Sequence, residues 1–186
     1  MKKLIAGIVL ASVVLYAWGF VYWGLGPYRT QIWKASVNEV DARSALRKHF
    51  PGNGTYYVPG FTQEQGTIDR SFAEGPVAFV HMLAVNGRPM VEPSIMVQGF
   101  LLNLVIVILI TVILRQIASA FPRFRDRAKL VVLIGLTAAV AIDGGEVVWW
   151  QMPAPWKVYQ GVYDFSVWLI AGLIMANFVD ARLQSS

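Results

Sequence analysis

Four stretches of the chain are almost free of charge, and the polar residues gather between them. The first apolar run, Leu4 to Leu25, stands behind Lys2 and Lys3. About 20 apolar residues suffice to cross a roughly 30 Å hydrocarbon core, which is longer than the apolar core of a cleaved leader. Tyr16, Trp18, Tyr22 and Trp23 lie toward its far end, before Gly26-Pro27. These residues suit a membrane interface better than a cleavage site, so the run reads as an uncleaved anchor. Further spans are predicted over 94–114, 130–150 and 158–179. The last two are joined by the tight turn Gln151-Met-Pro-Ala-Pro155, which makes them antiparallel neighbours.

Residues 26–92 are polar enough to fold in water. Ser36-Val-Asn-Glu39 has the spacing of a capping box, with Ser36 as the cap and Glu39 reaching back. Val37, Val40, Ala45 and Leu46 then give a partly apolar helix face, stopped by Pro51-Gly52-Asn53-Gly54. Thr55–Val58 is β-prone and Val77–Val85 reads as a strand. Asn86-Gly87 suits a hairpin turn, so 88–91 is expected to return as a short edge strand. The expected fold is thus an integral membrane protein, mainly α, with four transmembrane helices. An anchor (1–25), a small α+β extracytoplasmic domain (26–92) and a three-helix region (93–186) with a basic cytoplasmic loop (115–129) make up the chain.

Charge orients this arrangement. Lys2, Lys3, Arg115, Arg123, Arg125, Arg127, Lys129 and Arg182 fall on one side of the spans, and the short loop on the other side has only Lys157. Positive residues flanking short loops mark the cytoplasmic face, while a loop as long as 26–92 is translocated largely regardless of its charge. Both termini are therefore expected in the cytoplasm of a bacterial inner membrane, with Trp18, Trp23, Trp149, Trp150 and Trp156 as anchors at the opposite interface. Arg115, Arg123, Arg125, Arg127 and Lys129 would set topology and touch anionic headgroups.

Composition agrees and narrows the chemistry. The chain is 56% hydrophobic and only 15% charged, against about 25% charged in soluble domains. The net charge of +5 comes from residues flanking spans rather than from a basic stripe on a soluble domain, so nucleic acid is not an expected partner. The absence of cysteine excludes disulfides and thiolate chemistry. No P-loop, dinucleotide fingerprint, nucleophile elbow or zincin motif occurs, and no cofactor is expected.

The candidate site is a set of acids, Asp143, Glu146 and Asp164, in the last two spans. Asp143 and Glu146 are three apart and share a helix face. Counting rise per residue puts Asp143 about 9 Å below Trp149 and Asp164 about 12 Å below Trp156, so the two could face each other. By that count their helices hold no Lys or Arg at the same depth. A carboxylate in lipid costs about 3 kcal/mol even on lenient insertion scales, so each must be paired, protonated or wet. The functional reading is a proton or cation site. The plainer one, preferred here, is hydrogen bonding near the interface to Tyr159, Tyr163, Gln160 or a Trp N–H. Gly144-Gly145 and the Ala141/Gly145, Gly7/Ala11 and Gly172/Ala176 pairs read as close-packing positions. His81 alternates with Phe79 and Leu83 and reads as a core or rim histidine, with a metal-ligand role supported by no spacing. Three functions follow, in order of preference: a non-catalytic accessory protein bound to a membrane-protein partner, an oligomeric transporter or channel using Asp143 and Asp164, and an outer-face enzyme using His81 with Glu74 or Asp69.

Overall fold

The structure is a computed structural model that describes residues 2–26, 31–62 and 64–179. Pro27, used above to end the first span, and Arg182, used in the charge count, lie outside the described residues. The chain forms two compact units, one of Met1–Lys34 with Glu92–Ser186 and one of Ala35–Val91.

The first unit contains four helices long and apolar enough to span a membrane: α1 (Lys2–Leu25), and, after the second unit, Pro93–Ile117, Phe124–Trp149 and Ala154–Phe178. The second unit supplies α2 (Glu39–His49), β1 (Gly54–Val58), α3 (Gln65–Glu74) and β2 (Ala78–Met82), so the three later long helices are α4, α5 and α6 in that order. Pro93 opens α4, where its missing N–H is no loss. α5 begins at Phe124, six residues before the predicted start, so Arg125, Arg127 and Lys129 are helical rather than in a loop.

α6 packs on α1, α4 and α5, and the glycines explain how closely. A Cβ on Gly7 would come within 2.5 Å of the Phe178 ring, one on Gly135 within 2.3 Å of Trp168 Cβ, and one on Gly172 within 2.3 Å of Val131 Cγ1. Lipid tails are as apolar as leucine, so helices in a bilayer gain mainly from close van der Waals contact, and small residues permit it. The Gly7/Ala11 and Gly172/Ala176 spacings serve that role. Gly144 has nothing within 4 Å of such a Cβ and Gly145 only Trp149 at 4.0 Å, so that pair does not pack a neighbour as expected.

The dry core lies toward the end of the bundle that carries the basic residues. Leu15, Val107, Ile110, Leu114, Val131, Ala171 and Met175 meet there. Arg127 closes this end. It is 5% exposed, and its guanidinium donates to the carbonyls of Phe121, Pro122 and Ala176 at 3.0, 2.8 and 2.9 Å. A cation at the carbonyl end of α6 complements its dipole. Arg127 therefore differs from the headgroup role read from sequence, because both terminal guanidinium nitrogens are taken by backbone acceptors inside the fold. Arg115, Arg123, Arg125 and Lys129 are exposed.

The 35–91 unit is built on an antiparallel pair, β1 with β2, in which Tyr56 faces Val80. The predicted Asn86-Gly87 hairpin does not form: Gly87 takes a positive φ in a turn closed by its N–H to the Ala84 carbonyl, and 88–91 stays irregular. β2 finds its partner across α3, a helix the sequence reading missed. The capping box is also modified. Asn38, not Ser36, is the cap, its Oδ1 accepting from the N–H groups of Val40 and Asp41, while Ser36 donates both its N–H and its hydroxyl to Glu39. Those Ser36 bonds hold the Glu39 carboxyl below its usual range.

Candidate functional site

At the other end of the bundle, near the turn between α5 and α6, packing gives way to charge and aromatic rings. α5 is interrupted by a π-helical turn, Val140–Gly144, which contains Asp143. Such turns insert a residue into the helical register and recur at functional positions. Asp143 is 6% exposed and lies against α6 over Gly161, where a Cβ would come within 3.2 Å of its Oδ2. Glycine at 161 is what lets a carboxylate rest on the α6 backbone.

One turn nearer the connecting loop, Lys157 enters the same space. Its ammonium lies 2.9 Å from Asp143 Oδ1, contacts Glu146 Oε2, and donates to Gln160 Oε1 at 2.7 Å. An ammonium has three protons, and these acceptors engage all of them. The side chains of Lys157 and Asp143 are 5% and 7% exposed, that of Glu146 40%. The pair is thus desolvated, with Glu146 at its rim.

This corrects the expectation that no Lys or Arg lies at the depth of the acids. Backbone depth places Lys157 beside the turn, but its four-carbon stem carries the charge down to Asp143. The partners proposed for the acids do other work. Gln160 accepts from Lys157, and the Tyr159 hydroxyl donates to the Tyr22 carbonyl at 2.7 Å. The Tyr22 hydroxyl returns a bond to the Tyr159 carbonyl at 2.8 Å, and the two rings stack with centroids 4.5 Å apart. The last six residues of α1, Phe20–Leu25, are also π-helical, a register in which i−4 carbonyls are free to accept.

Asp164 stands beside Asp143, close enough for the two carboxyls to interact, and is in no ion pair among the described residues. Asp143 Oδ2 is buried with no basic, hydroxyl or backbone donor among the described residues, and the group within its reach is the Asp164 carboxyl. The site therefore holds three acids against one cation. On one flank Asp143 and Lys157 border an apolar groove of about 320 Å³ between α5 and α6, walled by Val140, Val147, Val158 and Phe165.

The predicted interface residues divide. Trp23 and Trp156 join Tyr159 and Tyr163 in the ring cluster, and Trp18 donates to Ser166 Oγ at 2.7 Å. Trp149 and Trp150 are 80% and 60% exposed. His81 is exposed rather than in the core; it lies parallel to the Phe79 ring and meets Thr55 Oγ1 at 3.0 Å through Nδ1. Neither Glu74 nor Asp69 bonds to it: Asp69 accepts from Gln65, and Glu74 ends α3. No group of His, Asp and Glu among the described residues could hold a metal ion. Lys157 entered the sequence argument only as a loop charge and Arg127 only as a topology residue, and Gln160 was expected to bond the acids rather than the lysine. The available signal for Lys157 and Gln160 was a lone lysine one turn before Gly161, on the helix facing an acid pair.

Comparison of the chain with protein-family models, with curated proteins and with solved structures finds no match.

Proposed function

We propose that the chain is a non-catalytic accessory or assembly protein of a bacterial inner membrane, bound to other membrane subunits through its helices and its 35–91 unit. The carrying observation is how little that unit buries. Ile68 is its one buried hydrophobic among the described residues, while Val37, Val40, Phe61, Leu83 and Met90 are 109%, 74%, 68%, 69% and 97% exposed. A unit this small is marginal even with a full core, and exposed apolar side chains in such number support the reading of an interaction surface. The Lys157 ammonium adds support, since it occupies the place at Asp143 that a translocated cation would take. An oligomeric transporter using Asp143 and Asp164 is the second reading, favoured by the lack of an ion pair at Asp164 among the described residues.

Affinity capture of the tagged full chain from membranes in mild detergent, read by native mass spectrometry, tests the first reading. A stoichiometric partner is expected, and Val40→Asp is expected to release it. A monomer without partner, or a homo-oligomer alone, overturns the accessory reading.

The proposed orientation puts both termini in the cytoplasm and 26–92 outside. It is supported by the exposed Arg115, Arg123, Arg125 and Lys129 at one end of the bundle. The chain has no native cysteine, so single cysteines report cleanly. Ser44→Cys is expected to react with a membrane-impermeant maleimide in intact spheroplasts, and Ser119→Cys only after permeabilisation. The reverse pattern overturns the orientation.

A further inference from the structure

A second cavity lies on the other side of α6, where α4, α5 and α6 converge. Its volume is about 310 Å³, at the small end of the roughly 300–1,000 Å³ typical of small-molecule sites. Ile106, Ile142 and other aliphatic side chains form most of its wall. Two polar groups interrupt that wall, Asn103 from α4 and Asp164 from α6. Each stands ten residues in from the start of its helix, at Pro93 and Ala154, hence at a common depth of about 15 Å from that end.

Asn103 is only 8% exposed, and its side-chain amide has no hydrogen-bond partner among the described residues. A buried primary amide in apolar surroundings forfeits its hydrogen bonds with water, so its retention calls for a partner. Asp164 stands on the opposite wall with no cation paired to it among the described residues, since the ammonium of Lys157 is already committed to Asp143, Glu146 and Gln160. The Asp143 carboxyl adjoins Asp164, so a second acid stands behind the one in the wall. Tyr163 and Trp168 also contribute to the wall, and the faces of such rings attract cations.

We propose that this cavity is a binding site for a lipophilic organic cation, an ammonium head carrying an apolar body, with Asp164 and the Asn103 carbonyl oxygen at the head. Each part of the wall then has a use. The carboxylate neutralises the charge, the amide oxygen takes a polarised C–H or N–H of the head, and the aliphatic wall takes the body. An inorganic ion would leave most of this apolar volume unfilled. The inference is independent of the accessory reading: partner capture can succeed where this site fails, and the reverse.

The test is equilibrium binding of radiolabelled benzyltrimethylammonium to the full chain in lipid nanodiscs, against empty nanodiscs. Neopentylbenzene, the uncharged carbon isostere, serves as competitor. Saturable binding is expected, weakened by about tenfold or more in Asp164→Asn and weakened also in Asn103→Leu, with no displacement by the isostere. Ile106→Phe fills the cavity without altering charge and is expected to abolish binding, which keeps the test decisive should Asp164→Asn fail to fold. Binding no greater than to empty nanodiscs, binding unchanged in the variants, or displacement by neopentylbenzene overturns the proposal.

Discussion

Replacing Lys157 with methionine is expected to destabilise the four-helix unit by about 3–5 kcal/mol, the usual cost of removing one partner from a buried ion pair. Methionine keeps most of the stem's volume, so the loss is one of charge. Asp143, 6% exposed, would be left with neither oxygen paired. The carboxylate must then stay charged in a medium that solvates it poorly, or take up a proton at a cost in free energy. The double variant Lys157→Met with Asp143→Asn removes both charges and is expected to be more stable than Lys157→Met alone. That sign separates an ion-pair effect from a packing effect. Unfolding by a denaturing detergent, followed through the fluorescence of the seven tryptophans, measures each variant. A Lys157→Met protein as stable as the wild type would show that Lys157 does not clamp α5 to α6.

Gly135→Ala is expected to cost about 1–3 kcal/mol through overpacking, and Gly172→Ala a similar amount. The methyl added at 135 meets Trp168 at its Cβ and Cγ, 2.3 and 2.7 Å away, atoms held by the α6 backbone rather than the free end of a side chain. The helices must separate to admit it, and the contacts of Val131, Ala171 and Met175 go with them. Gly99→Ala and Gly144→Ala provide the contrast. Neither position has an atom within 4 Å of the new methyl, and alanine is the better helix former by about 1 kcal/mol, so both are expected to be neutral or stabilising. The same detergent titration compares the four. Equal effects at 135 and 144 would remove the claim that close approach, rather than helix propensity, keeps glycine at 135.

The spans were legible because membrane helices announce themselves by composition. A run of apolar residues long enough to cross a bilayer needs no periodicity to be recognised, and all four such runs are helical. Their ends were less legible. Arg125, Arg127 and Lys129 resemble a loop by charge, yet α5 starts at Phe124, since Arg127 satisfies its charge against backbone carbonyls, Ala176's among them. In the 35–91 unit local signals misled. Asn86-Gly87 has hairpin chemistry, but a turn residue permits a conformation without supplying a partner strand, and β1 was the better partner. α3 escaped notice because Ile68 and Phe72 are nearly all the apolar face it has.

The sequence by itself determined that this chain has four apolar helices and a polar segment after the first, because length and hydropathy are properties of a run of residues. It also singled out Asp143, Glu146 and Asp164, since an acid in an apolar helix stands out without any fold. Only the tertiary structure decided what those acids meet. The reach of Lys157, the bare backbone at Gly161, and the shared depth of Asn103 and Asp164 join residues from separate helices. Such distances depend on helix rotation, register and side-chain length, none of which a linear pattern encodes.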